Sequence, residues 1–411
     1  MHPITVKVRQ IILSTIRKLS APTYLILANI KLQKRNSMEK ADGKVVFVLD
    51  NISPRAVKIM YALNKKGYTI ISICRRTGMH LFDEDVLKYS QTVHWYFGEK
   101  EAFYYCSKYK PVAYHIFSGG RYKVGRYLIE KKIGKAVFDN YDGYAGFRLE
   151  WNQNASNLKV AADERYCLEN ADGLCCRSFE TQYVKRYMGY KFKGKRIFFP
   201  DYCWGTGLKH NEKRTDQLCL FYGGGVASQK IYRNSSMACN EYLARIFEKN
   251  RVFYSIYASG YNAYDHEKLI ELDKICKYFS FNRPVKFSDM IELCRKFDYG
   301  VFLVSKKYKE RMIKNEADGY YCGAKYRYAA TNKYFDYIEA GLPVVGATPE
   351  LFFQIFKHYG MAHCATAETI EGDLKLLREK LSAYQNNIKN NIGELSIMQN
   401  IDRLISFYRE L

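Results

Sequence analysis

Asn332, Lys333 and Asp336 stand in the stretch NKYFDYIEAGLPVVGA, residues 332–347, which reads as a helix halted by Gly341 and Pro343 and followed by an apolar run. With Thr331 or Asn332 as its cap, such a helix leaves its first backbone N–H groups free, and that end attracts anions. Lys333 falls on the first turn and shares a face with Asp336 and Tyr337, three and four residues on. A cation beside a helix end suits a diphosphate, and a carboxylate that accepts two hydroxyl hydrogen bonds suits a ribose diol. A plain surface Lys–Asp pair on an ordinary helix is the competing account.

The elements that must position these residues alternate regularly. From Lys44, KVVFVLD is a short valine-rich run, SPRAVKIMYALNKKG has helical spacing, and YTIISICRR is a second apolar run. Ser53 is placed to cap that helix, with Pro54 at its first position and Gly67 as its stop. PVAYHIFSGG and KAVFDN continue the alternation. A second cycle follows the polar stretch at 205–216: LCLFYGGGVAS is a strand and a glycine-rich turn, MACNEYLARIFEKN a helix, RVFYSIYAS and KICKYFSFN strands, FSDMIELCRKF a helix and DYGVFLVS a strand. The spacing predicts an α/β chain of two Rossmann-like β/α/β domains facing each other across a cleft, with ligands at the carboxyl ends of parallel strands. The expected division is a basic leader over 1–43, a first domain over 44–210, a second over 211–390, and a C-terminal helix over 391–411 packed across the junction. A polar, tyrosine-rich segment from Ser305 to Thr331 is long for a strand-to-helix connection and suits a binding loop or a solvated insertion.

Composition narrows the class. The 411 residues are 47% apolar and 16% aromatic, enough for a substantial core. Twelve cysteines without a CxxC pair, and no signal-peptide pattern, point to reduced thiols and a cytoplasmic setting, with Cys175 and Cys176 buried and unbridged. Eight scattered histidines without HExxH or a Cys/His cluster argue against a structural zinc site. The formal net charge of +23 favours an anionic partner. Residues 1–40 hold eight basic residues and one acidic residue among short apolar groups, none near the ~18 residues of a membrane span. That leader is either an interfacial segment on an anionic membrane surface or a plain basic extension.

The Asn-Lys pair, the acid three residues on and the following Ala-Gly-Leu-Pro-Val-Val resemble the nucleotide-sugar motif of GT-B glycosyltransferases, in the superfamily of bacterial polysaccharide and lipopolysaccharide assembly. RYCLENADGLCCRSFETQYVKRYMGYKFKGKRIFFPDY is similar to the end of that superfamily's first domain. LCLFYGGGVASQK and FSFNRPVKFSDMIELCRKFDYGVFLV look like the start and middle of its donor domain. The likeness runs from Lys44 to about Leu381. It implies that Lys333 binds the donor diphosphate and Asp336 the ribose, with Asn332 beside them. It implies close approach of the diphosphate or acceptor to Gly223, Gly224 and Gly225, which lack a Cβ. Lys230 matches a second phosphate-binding base, and Arg283, after Phe281 and Asn282, a contact to the nucleotide base. The family needs no cofactor beyond the nucleotide sugar and commonly no metal, in keeping with the lack of an Asp-x-Asp pair in an apolar context.

Two departures stand out. Counting back from Asp336, the superfamily's first carboxylate position falls on Tyr328, so that this acid is missing or displaced to Glu316 or Asp318. Retention of anomeric configuration, which the resemblance implies, is set against inversion by a general base. In VFDNYDGYAGF a frequent histidine is replaced by Tyr141, and Asp142 becomes the first candidate for catalysis, followed by Asp139 and His115. Gly119, Gly120 and Arg121 form a turn at the same sheet edge. The expected partners are a nucleotide-sugar donor, a glycan or lipid-linked acceptor and an anionic membrane surface, with the protein cytoplasmic or peripheral on the cytoplasmic membrane face. A nucleotide-sugar 2-epimerase shares the architecture, and a basic nucleic-acid-binding protein would use the charge and the 37 tyrosines. No nucleic-acid motif appears, and nucleic acid is not an expected partner. Deleting residues 1–36 is expected to weaken co-sedimentation with anionic vesicles while nucleotide binding persists; equal sedimentation of both forms would make the leader a plain extension.

Overall fold

The computed structural model describes residues 43–76, 83–143, 154–205, 217–226, 240–259, 266–303, 327–346 and 351–411. The leader up to residue 42, Lys230, Glu316, Asp318 and most of the Ser305–Thr331 segment lie outside them. The described chain forms two compact units. One holds the residues up to Arg177 together with Val184–Phe199 and Ile401–Leu411, and the other holds Ser178–Tyr183 and Pro200–Asn400. The chain passes into the second unit at Pro200, ahead of the polar stretch that marks the boundary in the sequence, and residues 401–411 return to the first.

The first unit is built on seven parallel strands: β1 (Lys44–Leu49), β2 (Thr69–Arg75), β3 (Thr92–Tyr96), β4 (Ala113–Gly119), β5 (Ala136–Asp142), β6 (Gly173–Cys176) and β7 (Lys195–Phe198). Their order across the sheet is β3-β2-β1-β4-β5-β6-β7. Central strands such as β1 and β4 are buried on both faces, which is why they read as unbroken apolar runs. The helix Pro54–Lys65 begins and ends on the expected residues. Ser53 Oγ accepts from the Ala56 N–H at 3.2 Å, Pro54 occupies the first position, and Gly67 takes φ +83° to turn the chain back into β2. The spacing leaves unread β6, a run of only four residues, and β3 and β7, the two sheet edges. The half-exposed residues of the edges blur the apolar contrast on which strand recognition depends.

From Ile401 onward, the C-terminal helix Ile397–Glu410 completes this unit. Tyr408 Oη bonds His115 Nδ1, Arg409 Nη2 donates to Tyr68 Oη at 2.9 Å, and Arg403 Nη2 donates to the Phe198 carbonyl at 3.1 Å. A Cβ at Gly173 would stand 2.9 Å from side-chain carbons of Phe407 and Leu411, so the helix lies directly on β6.

The second unit has six parallel strands: β8 (Cys219–Gly225), β9 (Phe253–Ser259), β10 (Phe279–Asn282), β11 (Tyr299–Phe302), β12 (Val344–Gly346) and β13 (Ala362–Cys364), in the order β10-β9-β8-β11-β12-β13. KICKYFSFN is not one strand: Lys274 and Ile275 end the helix Glu267–Ile275, and only Phe279–Asn282 pair with β9. The strand order reverses between β8 and β11. The helix Lys333–Glu339 packs on the sheet beside that reversal, with Gly341 at φ +82° ending it. Its seat is Gly300 of β11, where a Cβ would fall 2.0 Å from Tyr337 Cδ2. Among the described residues no helix is long and apolar enough to cross a membrane.

Gly300→Ala is expected to cost about 1–3 kcal/mol through overpacking against Tyr337. Gly372→Ala, where an added Cβ meets nothing within 4 Å, is expected to be neutral or to stabilise its helix by up to ~1 kcal/mol. Urea denaturation of both variants checks the pair, and equal midpoints would refute the close seat.

Candidate functional site

The reversal between β8 and β11 puts the end of β8 where a ligand crevice forms in open α/β sheets. Three of the expected donor residues meet there. Gly223 N donates to Tyr337 Oη at 3.1 Å, so the fifth residue of the helix Lys333–Glu339 holds the first glycine of the triplet. Gly224 has φ +145°, and a Cβ built on it would lie 2.9 Å from both Cε and Nζ of Lys333. Only glycine combines that backbone angle with such a close lysine. Lys333 Nζ lies 5.0 Å from the Tyr222 ring centroid and 4.6 Å from that of Phe302, and the two rings stack with an interplanar angle of 12° at 6.4 Å. An ammonium group over ring faces is attracted by their quadrupoles, which fixes its position without neutralising its charge.

The phenols around this lysine are neutral. Burial pushes Tyr222 and Tyr337 above the ordinary tyrosine pKa. Tyr222 Oη donates to the Gly225 carbonyl at 2.6 Å, which ties the third glycine back to its own strand. Tyr222 and Phe302 escape sequence reasoning, whereas Tyr337 is already placed on the face of Lys333 by helix spacing. The role of the first two follows from strand adjacency, which is not visible along the chain.

The remaining expected residues are spread more widely. Asn332 precedes the helix in a helical conformation (φ −54°, ψ −41°) and makes no side-chain cap; the Tyr334 and Phe335 N–H groups bond to the carbonyls of Thr331 and Asn332. Asp336 is half-buried toward the helix Phe287–Cys294, close enough for its charge to add to the burial that pushes the Cys294 thiol up. Arg283 is exposed immediately after β10, two strands and roughly 10 Å along the edge from β8. Tyr328, at the position of the superfamily's first carboxylate, is 4% exposed.

In the first unit, Asp142 ends β5 with its backbone opposite Gly119 at the carboxyl edge. Asp139 and His115 lie deeper and are fully buried. Arg55 Nη2 and Nε stand 2.8 and 2.9 Å from Asp139 Oδ2, Nε also donates to Oδ1 at 3.2 Å, and Nη2 donates to Cys175 Sγ at 3.2 Å. His115 Nε2 is 3.3 Å from Asp139 Oδ2, with Tyr408 on its other nitrogen. Burial by itself would raise the Asp139 carboxyl, but Arg55 and His115 outweigh it and hold the group below the usual carboxylate range. Burial depresses the His115 pKa, and it pushes the Cys175 thiol well up. The ligating atoms of His115, Asp139 and Cys175 lie within 4.8 Å of one another. Arg55 supplies the positive charge among them, and a protonated thiol is a poor metal ligand.

No protein-family model and no curated protein sequence matches the chain. Solved structures do. A sucrose-phosphate synthase from Thermosynechococcus elongatus superposes with a TM-score of 0.63 at 12% identity, covering 90% of this chain and 98% of that one. The pneumococcal O-GlcNAc transferase GtfA, solved with UDP and GlcNAc, gives 0.55 at 8% identity over 89% and 98%. A putative UDP-N-acetylglucosamine 2-epimerase from Listeria monocytogenes gives 0.52 at 12% identity over 91% and 98%. The chain has the GT-B fold. At these identities the likeness concerns architecture, and in a GT-B chain β8 to β13 form the sheet of the second Rossmann-like domain.

Arg55→Met is expected to destabilise the first unit by about 3–5 kcal/mol, because it leaves the Asp139 charge buried without its main partner. Exposed Lys375, whose ion pair with Glu379 spans 3.9 Å, serves as the comparison, and Lys375→Ala is expected to cost well under ~1 kcal/mol. Chemical denaturation of the two variants measures the difference.

Proposed function

We propose that the protein is a glycosyltransferase, which moves a sugar from a nucleoside-diphosphate sugar to a glycan or lipid-linked acceptor in the synthesis of a cell-surface polysaccharide, lipopolysaccharide or related glycoconjugate. The observation that carries this reading is the place of Lys333: its ammonium group is set between two aromatic rings beside Gly224, at the point where the strand order of the second sheet reverses. A diphosphate laid against Gly223–Gly225 would meet that cation without a Cβ in the way. Asp336 would receive ribose hydroxyls, Arg283 and Lys230 would extend the site toward the base and the phosphates, and Asn332 would line its entry. As the carbon–oxygen bond to the diphosphate breaks, negative charge grows on the leaving oxygens, and a fixed cation stabilises it without a bound metal. Asp142, at the carboxyl edge of the first sheet, is proposed to orient the sugar or the acceptor hydroxyl. The +23 charge and the basic leader suit an anionic acceptor at a cytoplasmic membrane face.

The same fold in a 2-epimerase from Listeria monocytogenes favours one second reading, interconversion of a free nucleotide sugar. An epimerase would change its substrate with no acceptor present.

A thermal-shift screen against UDP, GDP, ADP, CMP and their sugar conjugates tests the proposal, since a ligand that binds only the native state raises its melting temperature. One nucleoside diphosphate is expected to raise Tm. Lys333→Ala is expected to lose about 1.5–3 kcal/mol of that binding, the range for hydrogen bonds to a charged group, with the fold intact. A folded variant with unchanged affinity would remove Lys333 from the site, and no shift with any nucleotide would overturn the donor reading.

A further inference from the structure

The first sheet also reverses its strand order, between β1 and β4, and its register builds a polar row there. Leu49 pairs with Cys74 and with Phe117, so Asp50, one residue on, falls between Arg75 and Ser118; its N–H donates to the Phe117 carbonyl at 3.2 Å, as that register requires. Arg75 in turn pairs with Tyr96, and Ser118 with Asn140. Tyr96, Arg75, Asp50, Ser118 and Asn140 thus cross five strands in one line, on one face, at the carboxyl edge. The row two residues earlier on that face reads His94, Ile73, Val48, Ile116 and Phe138. A mainly apolar sheet ends in a polar rung.

Most of that rung is satisfied. Tyr96 Oη donates to Asp50 Oδ1 at 2.7 Å, with Arg75 Nη1 3.5 Å from the same oxygen. Asn140 donates to Glu164 Oε1 at 2.9 Å and accepts from Tyr122 Oη at 3.2 Å. The gap is in the middle. Ser118 Oγ is fully buried and has no hydrogen-bond partner among the described residues, and Asp50 Oδ2, on a residue 5% exposed, has none there either. A buried hydroxyl left unpaired is costly, and a water, an ion or a ligand group bound beside it removes that cost. One ligand hydroxyl could satisfy both atoms, donating to Asp50 Oδ2 and accepting from Ser118. Burial pushes the Asp50 carboxyl up to about 6 against the pull of Tyr96, Arg75 and Arg121, which leaves it an ionised acceptor near neutral pH.

Beside the gap, the chain turns at Gly120 with φ +76° and presents Arg121, exposed and with no hydrogen bond or ion pair among the described residues. Arg75 is part-exposed, and Arg76 is exposed next to it. Two guanidinium groups, those of Arg75 and Arg121, act on the Asp50 carboxylate and favour an anion next to the hydroxyl.

We propose that the carboxyl edge between β1 and β4 binds a sugar carrying an anionic group, with a sugar hydroxyl between Asp50 Oδ2 and Ser118 Oγ and the anion on Arg121. As the acceptor side of the reaction, the assignment rests on the transferase reading, and it names an anionic glycosyl compound as the acceptor class. Calorimetric titration of the full chain with glucose 1-phosphate and N-acetylglucosamine 1-phosphate tests it, with inorganic phosphate and methyl α-glucoside as partial ligands. Because Lys333 also attracts phosphate, the titrations are repeated on Lys333→Ala.

At least one sugar phosphate is expected to bind about tenfold or more tightly than either partial ligand, in Lys333→Ala as in the parent. Asp50→Asn and Arg121→Ala are each expected to weaken it about tenfold or more, the size of a lost hydrogen bond to a charged group. Ser118→Ala is expected to weaken it as well while leaving the unliganded Tm equal or higher, because the change deletes a hydroxyl that bonds nothing in the free protein. Binding no tighter than inorganic phosphate, binding lost in Lys333→Ala but kept in Asp50→Asn, or a sharp fall in the unliganded Tm of Ser118→Ala would each overturn the assignment; the last would mean that a resident water fills the gap. A nucleotide-induced Tm rise that persists in Asp50→Asn while sugar-phosphate binding is absent would overturn this inference alone. The absence of any nucleotide shift, even in the parent, would overturn the transferase reading and the acceptor role with it.

Discussion

The geometry of the second unit depends on one steric constraint, the contact of the Tyr337 ring with the bare α-carbon of Gly300. No Cβ separates them, so the helix Lys333–Glu339 settles on β11 closely enough for the Tyr337 hydroxyl to reach the Gly223 N–H. That bond fixes the glycine triplet against the first turn of the helix. Lys333, one turn before Tyr337, then has one place to go, over Gly224 and between Tyr222 and Phe302. A lysine's four-carbon stem is ordinarily free to wander, and its ordering costs entropy. Here ring faces and a glycine wall restrain it before any ligand arrives, so less of that cost falls on binding.

Both sheets apply the same topological rule with opposite electrostatics. In the second unit the reversal point carries a cation held by neutral rings. In the first it carries a carboxylate and an unpaired hydroxyl with guanidinium groups at the rim. The two arrangements call for different ligands: a diphosphate needs concentrated positive charge, whereas a sugar needs directional acceptors and donors.

Much of the architecture was legible because its signals are local. Ser53, Pro54 and Gly67 delimit a helix within fifteen residues, and the apolar runs of the central strands are continuous because both of their faces are covered. Lys333 was legible for the same reason, since helix spacing and the glycine and proline after it lie together in the chain. The edge strands β3 and β7 were not, because half-exposed residues dilute their pattern. Arg55 has no mark in the sequence beyond its place in a helical run, and it is buried against Asp139 and Cys175, 84 and 120 residues away. The polar row escaped for a related reason: Asp50, Arg75, Tyr96, Ser118 and Asn140 stand some twenty residues apart, and only the register of a parallel sheet brings them into line.

The return of the C-terminal helix bears on the order of assembly. Tyr408 closes over His115, and Phe407 and Leu411 cover Gly173, yet these residues are made after the whole of the second unit. During synthesis the second unit can finish its own sheet while the first, although begun earlier, still lacks the wall of its core. The earlier unit matures later, and until then it presents β6 and the Arg55–Asp139 network uncovered to whatever holds nascent chains in solution.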